Sequence, residues 1–295
     1  MSLPAPCGAA AWSFIFTNLD SAEDRVDVIG VTEGGTPQPL TEDGASSQAS
    51  FSPDGSNIVY AHGEFPGSLQ DDRDLCMKSD GSAQRPLGDV QGIDGPTYSP
   101  DGKHIAVSQL VLDGDLASRI FVVDADGKAG IAATPDTKEG QSSVDTQPAW
   151  SPDGDSLALV RRVELQGGDT RSEVWVSSWP KSEFTRVYES PSIVLGLTWG
   201  RTATELLFTD WETPGATAAT QRLLYSLELN TLTIDKIVGS AGPPQVARDA
   251  IVYFEYGDED PNRAELLAVD RDGNLASAGQ FAFNPTGAPR LPRCD

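Results

Sequence analysis

The side chains that most often carry metal or nucleophilic chemistry are scarce in this 295-residue sequence. It contains two histidines, His62 and His104, and three cysteines, Cys7, Cys76 and Cys294. Zinc sites use Cys and His ligands at short, regular spacings, and no such spacing occurs here. We therefore expect no metal ion and no cofactor. Cys76 lies in an apolar stretch and is expected to pack as a small hydrophobic residue.

Carboxylates, in contrast, are abundant, with 44 Asp and Glu against 21 Lys and Arg and a formal net charge of −23. This charge repels nucleic acid and anionic membrane surfaces, so neither is expected as a partner. Cationic ligands and basic protein surfaces are compatible with it, and so is a surface that is acidic only for solubility. We expect no membrane span, because no apolar run approaches ~18 residues. The N-terminus also has no basic region of the kind that begins a signal peptide.

Four side chains are candidates for ligand binding. Asp94 and Asp145 are each expected to precede the first strand of a repeated unit, near the mouth of a central channel, and could bind a cation or a basic side chain. Alternatively, both are solvated loop carboxylates. Phe65 and Trp211 lie within or beside long loops and are candidate anchors for a partner, because aromatic residues are enriched in binding hot spots. The alternative for these two is packing over the end of a sheet.

The sequence offers little support for catalysis. It contains no G-x-S-x-G nucleophile elbow. The run DADG, which ends at Gly127, begins like a calcium loop, but the next residues (KAGIAA) supply no further carboxylate ligand. Two carboxylates could still act as acid and base on a carbohydrate, but nothing in the sequence singles out such a pair. We therefore predict no catalytic residues.

The two candidate carboxylates, Asp94 and Asp145, lie near copies of a repeated sequence. An aromatic residue followed by S-P-D-G occurs as FSPDG at 51–55, YSPDG at 98–102 and WSPDG at 150–154. Related sequences follow at similar intervals, as LTWGRTATELLFTDW at 197–211 and PQVARDAIVYFEY at 244–256, and APCG at 5–8 lies one interval earlier. Six units of similar length account for the whole chain, which we take to be one domain spanning 1–295.

Each unit has the same internal order. An aromatic residue and a turn precede an apolar strand such as NIVYAH at 57–62, and then come a polar loop, another strand and a short polar strand. In S-P-D-G the proline fixes φ, the aspartate suits the next turn position and the glycine accepts a left-handed conformation. Asp-Gly pairs at 80–81, 126–127 and 272–273 predict a second tight hairpin. Four antiparallel strands repeated six times predict an all-β fold, a six-bladed β-propeller.

The repeat also resembles a known family. An aromatic residue, S-P-D-G and an apolar strand, followed by a strand that ends in D-x-D-G, is similar to the WD-like repeat of the TolB-type six-bladed propeller. The same repeat occurs in the propellers of prolyl oligopeptidase relatives. The resemblance covers the whole chain and implies a propeller scaffold in the periplasm, where TolB works with the peptidoglycan-associated lipoprotein. TolB also carries an N-terminal α/β domain that this sequence lacks, so only scaffold and compartment are carried over.

A propeller must close its ring or leave a sheet edge exposed. The first unit has too little sequence before Cys7 for an innermost strand, so we expect the C-terminal segment 288–293 to supply it. This brings Cys294 beside Cys7, where a Cys7–Cys294 disulfide would replace the missing turn. The alternative is two free terminal thiols. A disulfide would place the protein in an oxidising compartment, periplasmic or extracellular.

The two faces of the predicted disc differ. The S-P-D-G and Asp-Gly turns lie on one face, which we call the tight-turn face. The loops that enter each blade or join its second and third strands lie on the other, the long-loop face. They are long and acidic, as in GEFPGSLQDDRD at 63–74 and LVLDGDLAS at 110–118. Loops held by a rigid scaffold are where binding usually resides.

We therefore predict a non-enzymatic, extracytoplasmic binding or scaffold protein that engages a protein or small ligand on its long-loop face. We expect it to be a monomer. The competing hypothesis is an enzyme that acts on carbohydrate or peptide through carboxylates at the central channel. A third is a sensor or carbohydrate-binding module cut from a longer protein.

Overall fold

The computed structural model consists of β-strands and turns, and no helix occurs among the residues that it describes. These residues are 14–20, 25–31, 37–63, 73–88, 90, 92–113, 115–128, 130–134, 143–165, 169–181, 183–211, 222–239, 241–242, 244–247, 250–256, 263–270 and 275–282. None of these segments forms a helix long and apolar enough to cross a membrane. The all-β prediction is confirmed.

The described strands fall into six successive sets, which we number blades 1 to 6. Blade 1 has β1 (Phe14–Asp20), β2 (Arg25–Val31) and β3 (Pro37–Pro39). Blade 2 has β4 (Ser46–Phe51), β5 (Asn57–His62), β6 (Arg73–Lys78) and β7 (Arg85–Pro86). Blade 3 has β8 (Gly92–Tyr98), β9 (His104–Asp113), β10 (Asp115–Asp124) and β11 (Ile131–Ala132). Blade 4 has β12 (Ser143–Trp150), β13 (Ser156–Glu164), β14 (Thr170–Ser178) and β15 (Thr185–Ser190). Blade 5 has β16 (Leu195–Trp199), β17 (Glu205–Trp211), β18 (Arg222–Glu228) and β19 (Thr233–Val238). Blade 6 has β20 (Gln245–Ala247), β21 (Ala250–Tyr256), β22 (Arg263–Asp270) and β23 (Leu275–Ala282).

Neighbouring strands within each blade pair antiparallel, in chain order. The first strands of blades 2 to 6 (β4, β8, β12, β16 and β20), which we call the inner strands, contact one another in succession. A parallel bridge between Ser118 and Val144 also joins blade 3 to blade 4. Sheets arranged in sequence around their first strands form a β-propeller, as predicted from the repeat. The expected closing strand at 288–293 lies outside the described residues.

The S-P-D-G turns have the predicted geometry. Gly55, Gly102 and Gly154 are left-handed, with φ of 70°, 72° and 79°. Each glycine N–H donates to the carbonyl of the turn serine at 2.8–2.9 Å, and each serine hydroxyl donates to the turn aspartate at 2.6–2.7 Å. The Asp-Gly hairpins at 80–81 and 126–127 also carry left-handed glycines. The third, at 272–273, lies outside the described residues.

The hydrophobic core lies between the blades. Trp150, the aromatic residue before its turn, is buried against Ile120 of blade 3. Trp199 is buried against Val160 of blade 4 and donates its indole N–H to the carbonyl of Ala149 at 2.9 Å. Burying side chains of this size contributes about 2–3 kcal/mol each. The aromatic residues therefore wedge between neighbouring blades, as expected.

The prediction of one of the long loops is wrong. The sequence LVLDGDLAS at 110–118 was predicted to be a long polar loop, but β9 and β10 extend through most of it and pair as far as Asp113 and Asp115. The apolar residues at 110–112 lengthen strand β9. Pairing with β10 satisfies backbone groups that would bond to water in a loop. The acidic tip gave the segment the composition of a loop.

Candidate functional site

Four inner strands are irregular at the same place, four residues before the turn serine or its counterpart. Gln48, Gly95, Gln147 and Gly196 are left-handed there, with φ of 51°, 35°, 52° and 66°. The pairing with the second strand shifts register across each of them, as in a β-bulge. Glycine adopts this conformation freely, whereas glutamine is strained in it. The two glutamine side chains should therefore contribute something that glycine cannot.

The glutamines bridge neighbouring blades. The side-chain oxygen of Gln48 in blade 2 accepts a hydrogen bond from the N–H of Gly95 in blade 3 at 2.7 Å. In blade 4, Gln147 accepts from the N–H of Leu197 at 3.2 Å and donates to the carbonyl of Val194 at 3.4 Å. Gly95 and Leu197 lie on the next inner strand, and Val194 immediately precedes it. The bulges thus fix how successive inner strands are placed around the channel.

The two candidate carboxylates lie within inner strands and not before them, so that part of the prediction is wrong. Asp94 in β8 pairs with Ser108 of β9, and Asp145 in β12 pairs with Arg161 of β13. Asp94 stands five residues before its turn serine, whereas Asp145 stands six before. Their partners also differ in register, because Ser108 stands nine residues after its turn serine and Arg161 stands ten after, so the two residues are not equivalent. The structure does not bring them together as a pair.

Asp145 is buried, with 0% of its surface exposed. Its carboxylate accepts two hydrogen bonds from Arg161, at 2.6 Å from Nε and 2.8 Å from Nη2. Burial alone would lower the pKa of Arg161, but the hydrogen bond and charge of Asp145, with the charge of Glu173, raise that pKa above its ordinary value. The alternative of a solvated loop carboxylate is wrong for Asp145. Its partner is a basic side chain of the same blade.

The charges continue across blade 4. Arg161 pairs in register with Glu173 of β14, and its guanidinium lies 5.5 Å from the ring centroid of Trp175. Glu173 is 3% exposed and accepts hydrogen bonds or ion pairs from Arg171 at 2.7 Å, Arg186 at 2.9 Å and the Trp175 indole at 2.8 Å. The buried carboxylates of this blade are therefore matched by arginines.

Blade 2 has different residues at the positions that hold Asp145 and Arg161 in blade 4. Ser46 and His62 pair there, and Asp43 completes a set with the residue types of a hydrolase triad. Ser46 Oγ at 3.2 Å and Asp43 Oδ2 at 3.5 Å both approach the same ring nitrogen, Nδ1 of His62. In a triad the serine and the carboxylate bond to opposite ring nitrogens, so this set lacks that arrangement. Nor do the described residues bring together three or more His, Cys, Asp or Glu in a metal-binding group.

Trp211 ends β17 at the long-loop side of blade 5. Its ring is partly exposed, and the guanidinium of Arg222 lies 4.4 Å from its centroid. Arg222 also donates to the carbonyl of Ile193 at 3.5 Å, and the side chain of Ile193 is 42% exposed. We call these three residues (Ile193, Trp211 and Arg222) the blade 5 rim. Trp and Arg are enriched in binding hot spots, so this surface can hold an apolar or anionic group.

The other predicted residues have mixed outcomes. Phe65, Cys7 and Cys294 lie outside the described residues, so the anchor and the disulfide stay predictions. Cys76 is described and is 4% exposed in a cluster with Leu87. Burial raises the pKa of its thiol. Its expected role as a small hydrophobic residue is confirmed.

Sequence reasoning missed Gln48, Gln147, Arg161 and Arg222. For the first two a pattern was available, because glutamine stands four residues before the serine of S-P-D-G in QASFS and QPAWS. For Arg161 the pattern is a polar residue ten positions after the turn serine or its counterpart, which recurs as His62, Gln109, Arg161 and Asp210. Arg222 has no comparable pattern, because its place beside Trp211 depends on strand register.

Comparison with solved structures agrees with the propeller fold described above. The fold is a β-propeller, and more particularly a TolB-like one. It is similar to TolB from Acinetobacter baumannii, with a TM-score of 0.64 and 15% identity over 90% of this chain and 63% of that one. A TolB-type protein from Agrobacterium tumefaciens gives a TM-score of 0.61 and 15% identity over 94% and 89% of the two chains. This chain thus spans 63% and 89% of the lengths of these two proteins.

Enzymes share the fold. An oligogalacturonate lyase in complex with manganese gives a TM-score of 0.57 and 12% identity over 91% of this chain and 73% of that one. At such identities the likeness concerns the fold alone. No family model and no curated protein matches the sequence.

Proposed function

We propose that this protein is a non-enzymatic binding or scaffold propeller that engages a partner protein through the blade 5 rim on its long-loop face. The observation that carries the proposal is the stacking of Arg222 on the partly exposed ring of Trp211, 4.4 Å from its centroid. Side chains held in this way at strand ends lose little conformational freedom when a partner covers them. A tryptophan at the centre of such an interface contributes about 2 kcal/mol or more.

The state of the buried carboxylates supports binding over catalysis. Both oxygens of Asp145 are bonded to Arg161, and Glu173 is shared by two arginines and an indole. A general acid or base must reach the proton that it transfers, and here each carboxylate would first have to break its ion pair. The competing hypothesis of a carbohydrate- or peptide-active enzyme has the fold likeness to an oligogalacturonate lyase in its favour.

We also place the protein in the periplasm or outside the cell, as a monomer. The TolB-type propellers that it resembles work in the periplasm. A Cys7–Cys294 disulfide would persist in an oxidising compartment and would be reduced in the cytosol. Cell fractionation with a cytosolic marker tests this placement, and recovery with the cytosolic marker would contradict it.

Partner capture from an envelope extract tests the binding role. Trp211→Ala should reduce capture at least tenfold, as expected for the loss of about 1.4 kcal/mol or more. The matched control is Leu232→Ala, which removes a side chain that is 55% exposed in the β18–β19 hairpin, at the opposite end of the same blade. Equal capture by the two variants would contradict the assignment.

A screen of glycans and peptides for turnover tests the competing enzyme hypothesis. We expect no turnover above background. Reproducible turnover above background, kept in Asp169→Asn as the control with an exposed carboxylate replaced, would contradict the binding proposal and support catalysis.

A further inference from the structure

The tight-turn face holds a cleft between blades 2 and 3. Its volume is about 550 Å³, within the range of about 300–1,000 Å³ that ligand pockets occupy. The S-P-D-G turns of the two blades line one side, and strand β6 and Ala125 line the other. Cys76 and Tyr98 lie deeper, within the core cluster that joins the two blades.

Two close approaches between the blades fix their spacing beside this cleft. Between the inner turns, the ring of Pro53 lies 3.5 Å from the position that a Cβ on Gly102 would take. Between the outer hairpins, Gly88 and Gly127 meet so closely that a Cβ on either would collide with the other's backbone. Both glycines are left-handed, with φ of 57° and 75°. The opening is therefore built into the backbone.

The next interface shows what fills the same space. In blades 3 and 4, the residue that follows the third strand donates its backbone N–H to a backbone carbonyl just after the S-P-D-G turn. Ala125 donates to Lys103 at 2.9 Å in blade 3, and Trp179 donates to Asp155 at 2.8 Å in blade 4. Each acceptor stands four residues after its turn serine, so Ala125 and Trp179 are equivalent.

Trp179 occupies the space between blades 3 and 4. Its ring lies 5.3 Å from that of Trp150 and 6.0 Å from that of His104, edge-on to both. The counterparts of Trp150 and His104 at the neighbouring interface are Tyr98 and Asn57, which line the cleft. The cleft is thus the space that an indole fills one blade further on, left open because alanine replaces tryptophan.

The polar groups of the cleft add a second requirement. Burial raises the pKa of Tyr98, which lines the cleft, to about 12. The charged lining residues are the carboxylates Asp54, Asp101 and Asp126 and the cations Lys78 and Arg85, and Asp101 is already paired with Lys103 at 3.0 Å. The exposed carboxylates of Asp54 and Asp126, in a chain with a net charge of −23, favour a ligand with a positive charge.

We propose that the cleft between blades 2 and 3 binds an aromatic ring that carries an adjacent positive charge, as in a peptide with an N-terminal tryptophan. The ring takes the place that the indole of Trp179 holds at the next interface. The ammonium group lies toward the exposed carboxylates of Asp54 and Asp126. This site is on the face opposite the blade 5 rim and does not depend on the proposed function.

Calorimetric titration with L-tryptophanamide tests the proposal. The full chain should bind one equivalent saturably, and alaninamide and indole-3-acetate should bind at least tenfold more weakly. Ala125→Trp places an indole of the protein itself in the cleft and should abolish binding while the circular dichroism spectrum is kept. If that variant fails to fold, Ala125→Leu serves instead, because Leu229 packs at the equivalent position of blade 5.

A converse variant makes the test sharper. Trp179→Ala opens the equivalent space between blades 3 and 4 and should raise the stoichiometry toward two. No saturable binding to the full chain, or unchanged binding to the Ala125 variants, would overturn the site. Equal affinity for indole-3-acetate would overturn the assignment of a cationic ligand.

Discussion

At the scale of single residues, one pair of strand positions serves different purposes in different blades. In blade 4 it holds the buried ion pair of Asp145 and Arg161, and in blade 2 it holds Ser46 and His62. A buried pair of charges is costly to desolvate, and breaking it by removing one partner is costlier than never having it. Each partner of this ion pair within blade 4 is therefore stabilised by the presence of the other.

Asp145→Asn should lower the free energy of unfolding by about 3–5 kcal/mol, because it leaves the charge of Arg161, whose side chain is 15% exposed, without its partner. Urea denaturation at neutral pH measures this. Asp169→Asn, an exposed carboxylate in the same blade, should change stability by less than about 0.5 kcal/mol. Equal effects of the two substitutions would contradict the account.

The candidate residues could be recognised from the sequence by type, but their environment could not. Asp145 stood out as a carboxylate near a repeat, whereas its burial depends on the pairing of β12 with β13. Trp211 stood out as an aromatic residue beside a long loop, whereas its contact with Arg222 depends on the register of β17 and β18. Cross-strand partners lie many residues apart in the chain, and a single sequence does not show them.

At the scale of elements, the S-P-D-G turn is a hydrogen-bonded unit that depends on an ionised aspartate. The hydroxyl of Ser52 and the N–H and hydroxyl of Ser56 bond to Asp54 and lower its pKa to about 2. The same cause, led by the turn serine, lowers the pKa values of Asp101 and Asp153. Because the pKa is depressed in the folded state, this stabilisation is fully present above about pH 4 and is lost as the pH falls toward 2.

Ser52→Ala should raise the pKa of Asp54 from about 2 toward the unperturbed value of 3.8, because the hydroxyl of Ser52 makes the largest contribution to the shift. Carboxyl-detected NMR titration measures this directly. Asp101, whose own serine is intact, serves as the internal control and should titrate unchanged. An unaltered titration of Asp54 would show that the turn hydrogen bond does not set its pKa.

The bulges of the inner strands allow a second test at this scale. Gln147→Gly relieves the left-handed strain but loses two inter-blade hydrogen bonds, so stability should fall by only about 1 kcal/mol. Gln147→Val loses the same bonds and places a β-branched residue where φ is 52°, so stability should fall by about 2–4 kcal/mol. Thermal denaturation of both variants compares them. A valine variant as stable as the glycine variant would contradict the role of the bulge.

The turns were predictable because proline, aspartate and glycine act locally on the backbone. The length of the β9–β10 hairpin was not, because its polar tip at 113–115 has the composition of a loop. Whether such a tip is paired depends on the strands that precede it. Local chemistry thus predicted the ends of strands better than their extent.

At the scale of the whole molecule, the sequence repeat was the feature that predicted the fold. The structure resembles TolB with 15% identity and a TM-score of 0.64, so few shared residues are enough to maintain the arrangement of sheets. Within this chain, the residues that recur from blade to blade are those of the turn and the aromatic residue before it. They set strand direction and blade spacing. The predicted ring closure involves segments outside the described residues, so the closure and the disulfide both stay predictions.

Thiol counting tests the predicted closure. The denatured, unreduced protein should show one reactive thiol, from Cys76, and reduction should release two more, from Cys7 and Cys294. The native protein should react slowly, because Cys76 is 4% exposed. Three reactive thiols before reduction would mean that the ring is not closed by a disulfide.

The central claim is that the long-loop face, at the blade 5 rim, is the binding surface. Site-specific photo-crosslinking in living cells tests it most directly, with a benzophenone side chain placed at Ile193 or at Leu232. These positions are 42% and 55% exposed and lie at opposite ends of blade 5. The account predicts a discrete adduct from Ile193 that is lost in Trp211→Ala, and no such adduct from Leu232. An adduct from Leu232 and none from Ile193 would contradict it.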